Sequence, residues 1–435
     1  MTWPSLYQIN TRFWLYDQGA ATLDDISDAE LDRLAAQGFE WIWLLGVWQT
    51  GALGLEYSRS LFPHLPPTEV CGSCFSITAY EGAAYLGGST ALKRMRDRLH
   101  QRGLRLMLDF VANHTAPDHP WVAEHRDYYV PGNDRDGLAY GRDPNFPGWP
   151  DTLQLNYGNP ALEAAMIAEL QHVATFCDGV RCDMAMLLLP EVFHRTWDID
   201  IQPFWPNAIA AVHEKYPHFL LMAEVYWDLE WTLLQQGFDF AYDKRLYDRL
   251  HQAIVPAVHD HLIAGIDYQA RLARFLENHD EPRAAQIFPV PQHQAAALIT
   301  YTVPGLRFFH YGQLKGLKLQ ASIHLCHRPS ELADPAIQAF YAKLLPLLPQ
   351  GGWSLLDTSP ACEGNESYRN FIAYRWPGIL VIVNYAPQPS QCYIEVKQSG
   401  RYRLTDAFSG VTYEREGPNL YIALQAWGFN YFVLA

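Results

Sequence analysis

The stretch Ser89-Thr-Ala-Leu-Lys-Arg-Met-Arg-Asp-Arg-Leu-His-Gln-Arg-Gly103, followed at once by Leu104-Arg-Leu-Met-Leu-Asp-Phe110, decides how the chain is read. Its first part has a Ser/Thr start, apolar positions at Leu92, Met95 and Leu99, and a terminal Gly103, which predicts a helix with one buried stripe and Ser89 at its N-terminus. The second part is a short apolar run that closes on an acidic residue, the pattern of a strand buried on both faces. A helix that feeds such a strand is one βα unit. Outward from it the same alternation recurs: strands are predicted at Leu6–Asn10, Trp41–Leu45, Leu104–Phe110, Gly179–Asp183, Phe219–Glu224, Phe238–Tyr242, Ala273–Leu276 and Leu306–His310. Helices fit between them at 28–37, 89–102, 161–176, 206–215, 243–253 and 292–300, with a later one at 335–347. Eight such units predict an α/β fold of the (β/α)8 barrel type rather than a doubly wound sheet.

Two segments break the rhythm. Between Thr115 and Asn159, Pro, Gly, Asp and aromatic residues dominate, and a long irregular excursion inside a compact domain is usually functional. After Gly351 the pattern changes to short alternating stretches bounded by turn residues, such as Phe371–Tyr374, Ile379–Val383, Cys392–Val396 and Tyr421–Leu424, which predicts a C-terminal antiparallel β-sandwich. The expected organisation is a barrel from 1–114 and 160–350, an insertion at 115–159, and a sandwich at 351–435.

Composition narrows the function. The 435 residues are 49% apolar and 18% charged, which is globular composition, and the formal net charge is -15. That charge repels nucleic acid and anionic lipid, and no Lys/Arg-rich block reverses it locally, so neither is expected as a partner. Aromatic residues make up 14%, and aromatic planes stack on the apolar faces of sugar rings. No basic segment followed by an apolar one opens the chain, and no run of 18 apolar residues occurs, so a cytoplasmic protein is expected. Seven scattered Cys residues argue against a disulfide framework and for a reducing compartment. Cys71-Gly-Ser-Cys74 has CxxC spacing without a second pair, so it is not read as a metal or redox site.

In a βα barrel the chemistry sits where the strands end, so acidic residues there are the candidates. The third strand ends Leu108-Asp-Phe-Val-Ala-Asn-His114, the fourth Gly179-Val-Arg-Cys-Asp183, the fifth Leu221-Met-Ala-Glu-Val225, and the seventh Phe275-Leu-Glu-Asn-His-Asp-Glu-Pro-Arg283. Arg181 and Asp183 are two apart on one strand and point the same way, so the guanidinium holds the carboxylate ionised. Retaining cleavage of a glycoside needs such a carboxylate as nucleophile and, about 5–5.5 Å away, a protonated carboxyl that donates to the leaving oxygen. Glu224 follows the apolar Leu220, Leu221, Met222 and Ala223, a setting that raises a carboxyl pKa and suits the acid. Asp280 supplies a third carboxylate to favour an oxocarbenium-like transition state, with His114 and His279 as neighbouring donors.

These segments resemble the α-amylase family, glycoside hydrolase family thirteen. Its D-x-x-x-N-H motif is met by Asp109, Asn113 and His114, its G-x-R-x-D motif by Gly179, Arg181 and Asp183, its third motif by Glu224, and its N-H-D motif by Asn278, His279 and Asp280. The likeness extends to Tyr7-Gln-Ile-Asn10, Leu155-Asn-Tyr-Gly-Asn-Pro160 and Pro304-Gly-Leu-Arg-Phe-Phe-His-Tyr-Gly312, and it makes the excursion the family's domain B. The resemblance implies Asp183 as nucleophile, Glu224 as general acid/base and Asp280 as transition-state stabiliser. It implies Asp109, His114, Arg181, His279, Phe75 and Arg283 as substrate-binding residues, Phe75 standing where the family commonly has a stacking Tyr. Leu187 and Gln154 stand where many members place a His and an Asp that hold calcium with the first-motif Asn, here Asn113. No metal or other cofactor is therefore expected. Met186 replaces a frequent Lys that contacts the leaving sugar.

The implied activity is retaining hydrolysis of α-1,4-glucans such as starch, glycogen or maltooligosaccharides, with an α-glucan or oligosaccharide as partner. Transglycosylation or exo-acting α-glucosidase action, sucrose-type substrates included, passes through the same glycosyl-enzyme intermediate and stays open at this point. So does a non-catalytic glucan-binding relative, against which the intact triad speaks. Oligomeric state is not encoded in any of these motifs.

Overall fold

A computed structural model describes residues 3–396, 398 and 400–434. Eight parallel strands lie in it: β1 (Ser5–Asn10), β2 (Trp41–Leu45), β3 (Arg105–Phe110), β4 (Gly179–Cys182), β5 (Leu220–Ala223), β6 (Phe240–Tyr242), β7 (Leu272–Arg274) and β8 (Leu306–His310). They close a barrel in the order β1-β8-β7-β6-β5-β4-β3-β2, the (β/α)8 architecture that the alternation predicts. By internal contacts the chain forms two compact units, one of residues 6–242 with 320–330, the other of 3–5 with 243–319 and 331–434.

In the first unit the strands are buried along almost their whole length, as β2 (Trp-Ile-Trp-Leu-Leu) shows, because helices cover the outer face and side chains fill the inner one. Register carries this order to the strand ends. β3 and β4 pair with Asp109 beside Arg181, and β4 and β5 with Arg181 beside Met222. The ladder then runs one residue beyond the strands: Asp183 N donates to Phe110 O at 2.9 Å and Glu224 N to Cys182 O at 3.1 Å. Asp183 and Glu224 are thus held level by backbone hydrogen bonds, and Asp109 stands level with Arg181.

The helix read from Ser89 starts one residue earlier, at Gly88, and runs to His100. Its cap is Gly87, in the left-handed region at φ 90°, and Ser89 instead accepts from Gly82 N at 2.9 Å while donating to Glu81. A backbone with positive φ closes this helix start, so the Ser/Thr side chain is free for the neighbouring turn. The excursion after β3 holds a short antiparallel pair, His114–Thr115 with Leu153–Gln154, and a short helix at Trp121–Glu124.

The cysteine reading needs correction. Cys71 and Cys326 form a disulfide across 255 residues of chain, while Cys74, Cys177, Cys182 and Cys392 are free and buried and Cys362 is free and exposed. Backbone bonds bring the two together: Cys71 N donates to His324 O at 2.8 Å and Cys326 N to Glu69 O at 2.9 Å. An odd count spread along the sequence says nothing about such a long-range approach, and cysteine usage no longer argues for a reducing compartment. A cross-link closing so long a loop contributes about 2–4 kcal/mol. Calorimetry with and without reductant, and of Cys71→Ser, should show Tm lowered by several degrees; an unchanged Tm would mean the bridge adds no stability.

In the second unit, the strands after residue 353 are β9 (Ser354–Leu356), β10 (Thr358–Ser359), β11 (Phe371–Trp376), β12 (Ile379–Asn384), β13 (Ser390–Glu395), β14 (Arg401–Asp406), β15 (Thr412–Glu416), β16 (Asn419–Leu424) and β17 (Phe429–Leu434). They form two antiparallel sheets, β9-β11-β12-β17-β14-β15 and β10-β13-β16. Alternate residues of both, including Phe371, Ile382, Cys392, Ile394, Leu404, Ile422 and Phe432, share one core, as the two-residue periodicity predicts. No helix among the described residues is long and apolar enough to cross a membrane.

Candidate active site

At the ends of β3, β4 and β5 one guanidinium organises three carboxylates. Arg181, 1% exposed, donates through Nη1 to Asp183 Oδ1 at 2.6 Å and to Asp109 Oδ1 at 3.4 Å, and its Nη2 lies 2.6 Å from Glu224 Oε2. Its flat faces meet rings, with the carbon of the guanidinium 5.5 Å from the Trp43 ring centre and 5.1 Å from that of Phe75. The planar fork suits this task because it reaches several carboxylates at once and stacks well. Asp183 and Glu224 therefore sit within the span of a single guanidinium.

Three carboxylates share one cation, so the cluster has reason to keep a proton. Burial pushes the Asp109 carboxyl up to about 7, against the pull of Arg181 and a hydrogen bond from Trp43 Nε1 at 3.2 Å, with Asp183 and Glu224 adding to the upward push. Glu224 is further fixed by Met184 N, which donates to Oε2 at 2.7 Å, and by the Tyr226 hydroxyl, which donates to Oε1 at 2.9 Å. Met184 follows Asp183 directly and holds φ at 42°, a costly conformation for a non-glycine residue. It turns the chain so that the amide after one carboxylate reaches the other.

His114 is buried against Trp149, with ring centres 5.5 Å apart, and burial lowers its imidazole to about 4, so it is neutral at ordinary pH. Its Nε2 has no hydrogen-bond partner among the described residues. Trp227 and Asp228, just beyond Glu224, both have positive φ, and Trp227 is 38% exposed with the Arg195 guanidinium carbon 5.6 Å from its ring centre. Trp231 is half exposed as well, whereas Trp121 packs edge-on to His119 and Tyr128.

The calcium set does not fit a cation. Gln154 Nε2 donates to Asn113 Oδ1 at 3.0 Å and to Asn113 O at 2.9 Å, occupying the oxygens a metal would need, and Leu187 is buried and apolar. Met186 is likewise fully buried.

In the unit that carries the N-H-D motif, Asn278 Oδ1 accepts from Asp280 N and Glu281 N, both at 2.9 Å, and this turn presents the Asp280 side chain, 45% exposed, with His279 Nε2 3.1 Å from its Oδ2. Arg283, expected among the substrate-binding residues, is engaged by neighbouring side chains and backbone. It is buried, and its Nη1 donates to Glu277 Oε1 at 2.5 Å and Tyr311 O at 2.9 Å, with His310 Nδ1 at 2.8 Å. Burial pushes the Glu277 carboxyl up, but Arg283 and His310 outweigh it and hold the group below its usual range. Arg283 thus braces the chain around the motif. Sequence reasoning missed Glu277, Trp43 and Tyr226; only the fact that Glu277 ends the same strand segment as Asp280 could have flagged one of them.

The profile of the α-amylase catalytic domain matches residues 75–161. The α-amylase MalA of Haloarcula japonica is 25% identical over 325 residues, 71% of this chain and 43% of that protein, and α-amylase 3 of Dictyoglomus thermophilum is 24% identical over 255 residues, 51% and 49% of the two. The chain thus spans less than half the length of these curated relatives. Among solved structures, the noncanonic maltogenic α-amylase AmyB from Thermotoga neapolitana superposes with a TM-score of 0.76 at 21% identity, over 99% of both chains, which speaks to the fold. With its four motifs after β3, β4, β5 and β7 and this fold, the chain is similar to the α-amylase family, glycoside hydrolase family thirteen.

Proposed function

We propose that the protein is a retaining glycoside hydrolase that cleaves α-1,4-glucosidic bonds in starch, glycogen or maltooligosaccharides, in the manner of an α-amylase. The observation that carries this reading is the Arg181 bridge, which holds Asp183 and Glu224 within one guanidinium's reach, the close spacing that a double displacement needs. Glu224 gives its proton to the glycosidic oxygen as the Asp183 carboxylate attacks the anomeric carbon. The carbon–oxygen bond breaks, and the sugar is left as an ester on Asp183. Glu224, now ionised, takes a proton from water, whose oxygen displaces Asp183 and frees a sugar of the original configuration. Asp280 is assigned to favour the positively charged transition state. Asp109, 2% exposed, acts on the sugar through Arg181. Phe75, whose ring faces that guanidinium, is assigned to the sugar at the cleaved bond, with His114 and His279 as hydroxyl donors. No metal is assigned a part in the reaction.

A time course on soluble amylose, following iodine staining and product sizes together, tests the substrate. Rapid loss of staining with mixed maltooligosaccharides is expected. Slow loss with glucose or lengthened chains would transfer the reading to exo action or transglycosylation. Proton NMR of the freshly released sugar should show the α anomer, and a β product would refute the retaining mechanism.

A further inference from the structure

Basic groups gather away from the catalytic strand ends, at the opposite end of the same three strands. Arg105 opens β3, Cys177 and Asp178 lead into β4, and Phe219 leads into β5, so these residues stand on the N-terminal face of the barrel, while Asp109, Asp183 and Glu224 stand on the other. A cavity of about 640 Å³ opens there, lined by Arg96, His100, Arg105, Lys215 and His218. Among the described residues, Asp178 is the one acidic side chain in the lining. The chain as a whole carries 47 acidic against 32 basic residues, so a wall that sets Arg96, Arg105 and Lys215 against a single carboxylate reverses the chain's own balance.

Hydrogen bonding separates the charges that are matched from those that are not. Asp178 Oδ1 accepts from Arg96 Nε at 3.0 Å and from Nη2 at 2.6 Å, while Oδ2 accepts from Leu106 N at 2.8 Å and lies 2.8 Å from His100 Nε2. That carboxylate is fully engaged, and it neutralises Arg96. Arg105 and Lys215 have no carboxylate partner among the described residues: the Arg105 guanidinium carbon lies 5.4 Å from the Trp41 ring centre, and Lys215 Nζ donates to the neutral Gln171 Oε1. His218 pairs with no carboxylate there either. The dipole of helix Phe204–Lys215 favours a lysine in its last turn, but Arg105 and His218 stand outside any helix, and the dipole does not account for them. Two unneutralised cations around one hollow are complemented by a dianion.

The remaining wall bears on the rest of the ligand. Leu104, Pro217 and Phe219 give the cavity an apolar side, and its volume falls in the range of about 300–1,000 Å³ that small organic ligands occupy, more than a bare phosphate fills. We propose that this cavity binds a phosphate monoester, whose phosphate, close to doubly charged at neutral pH, meets Arg105 and Lys215 while its organic group lies against Leu104 and Phe219. No bond is made or broken at the site, and the proposal stands apart from the α-glucan reading.

Isothermal titration calorimetry with glucose 6-phosphate, AMP and inorganic phosphate, at one fixed ionic strength, tests it. At least one of the two esters is expected to bind, and more tightly than inorganic phosphate. Arg105→Ala and Lys215→Ala should each raise the Kd of that ester about tenfold, the loss expected for one charge-assisted hydrogen bond. Both side chains are exposed, so the variants should keep the native fold, which a circular dichroism spectrum checks. Asp183→Asn, at the opposite end of β4, should bind the ester as the native protein does. Failure of both esters to bind at about 10 mM, inorganic phosphate binding as tightly as the esters, or a Kd unmoved in either alanine variant would overturn the site. None of these outcomes touches the hydrolase reading, which is decided by glucan cleavage.

Discussion

Asp183→Asn is expected to lower kcat on any cleaved glucan by about 10⁴-fold or more, the scale on which a unit of catalytic residues loses rate when one member is removed. The amide cannot form the glycosyl ester, so what survives is the weaker contribution of binding and of the remaining acid. The fold should persist, since Asn fills the same volume and its side-chain oxygen can still accept from Arg181 Nη1, 2.6 Å away in the native cluster. Steady-state rates beside a circular dichroism spectrum check both halves. A variant that keeps more than a tenth of native activity would remove Asp183 from the role of nucleophile.

Arg181→Leu is expected to be the most destabilising single change in the site. Removing one partner of a buried ionic network costs about 3–5 kcal/mol, because the charges left behind keep their desolvation penalty without its compensation. Here three carboxylates, Asp109, Asp183 and Glu224, would be left around an apolar side chain. The sign of the pH effect follows. With Arg181 present, burial already pushes Asp109 up to about 7, above its unfolded value, so the folded state holds a proton there that the unfolded state has released. Without the guanidinium the folded-state values rise further. The deficit of the variant should therefore be largest at neutral and alkaline pH and shrink as the pH falls toward about 4, where the folded-state carboxyls are protonated and the unfolded ones take up protons as well. Urea midpoints measured between pH 4 and pH 8 test this; a deficit independent of pH would mean that the loss comes from packing of the Trp43 and Phe75 rings rather than from charge.

Much of the site can be read from strand ends. Asp109, Arg181, Asp183 and Glu224 stand out because each is a polar residue that closes an otherwise apolar run, and a barrel gathers such ends at one mouth. Arg283 shows the limit of that reading. The resemblance implies a contact with substrate, whereas in the fold its guanidinium meets Glu277, His310 and Tyr311, and these partners depend on which groups lie within a few ångströms in the folded chain. Ser89 is a second case, where a glycine with positive φ ends up capping the helix and the hydroxyl serves Glu81 and Gly82 instead.

By itself, then, the sequence determined the eight alternating units, the sandwich at the C-terminal end and the identity of the acidic strand ends, because periodicity and burial are properties of neighbouring residues along the chain. Only the tertiary structure decided that one guanidinium serves three carboxylates, that Trp43 and Tyr226 complete their hydrogen bonds, and that Cys71 meets Cys326. These depend on approach between segments far apart in sequence, where desolvation and hydrogen-bond geometry act over a few ångströms and leave no periodic trace in the chain.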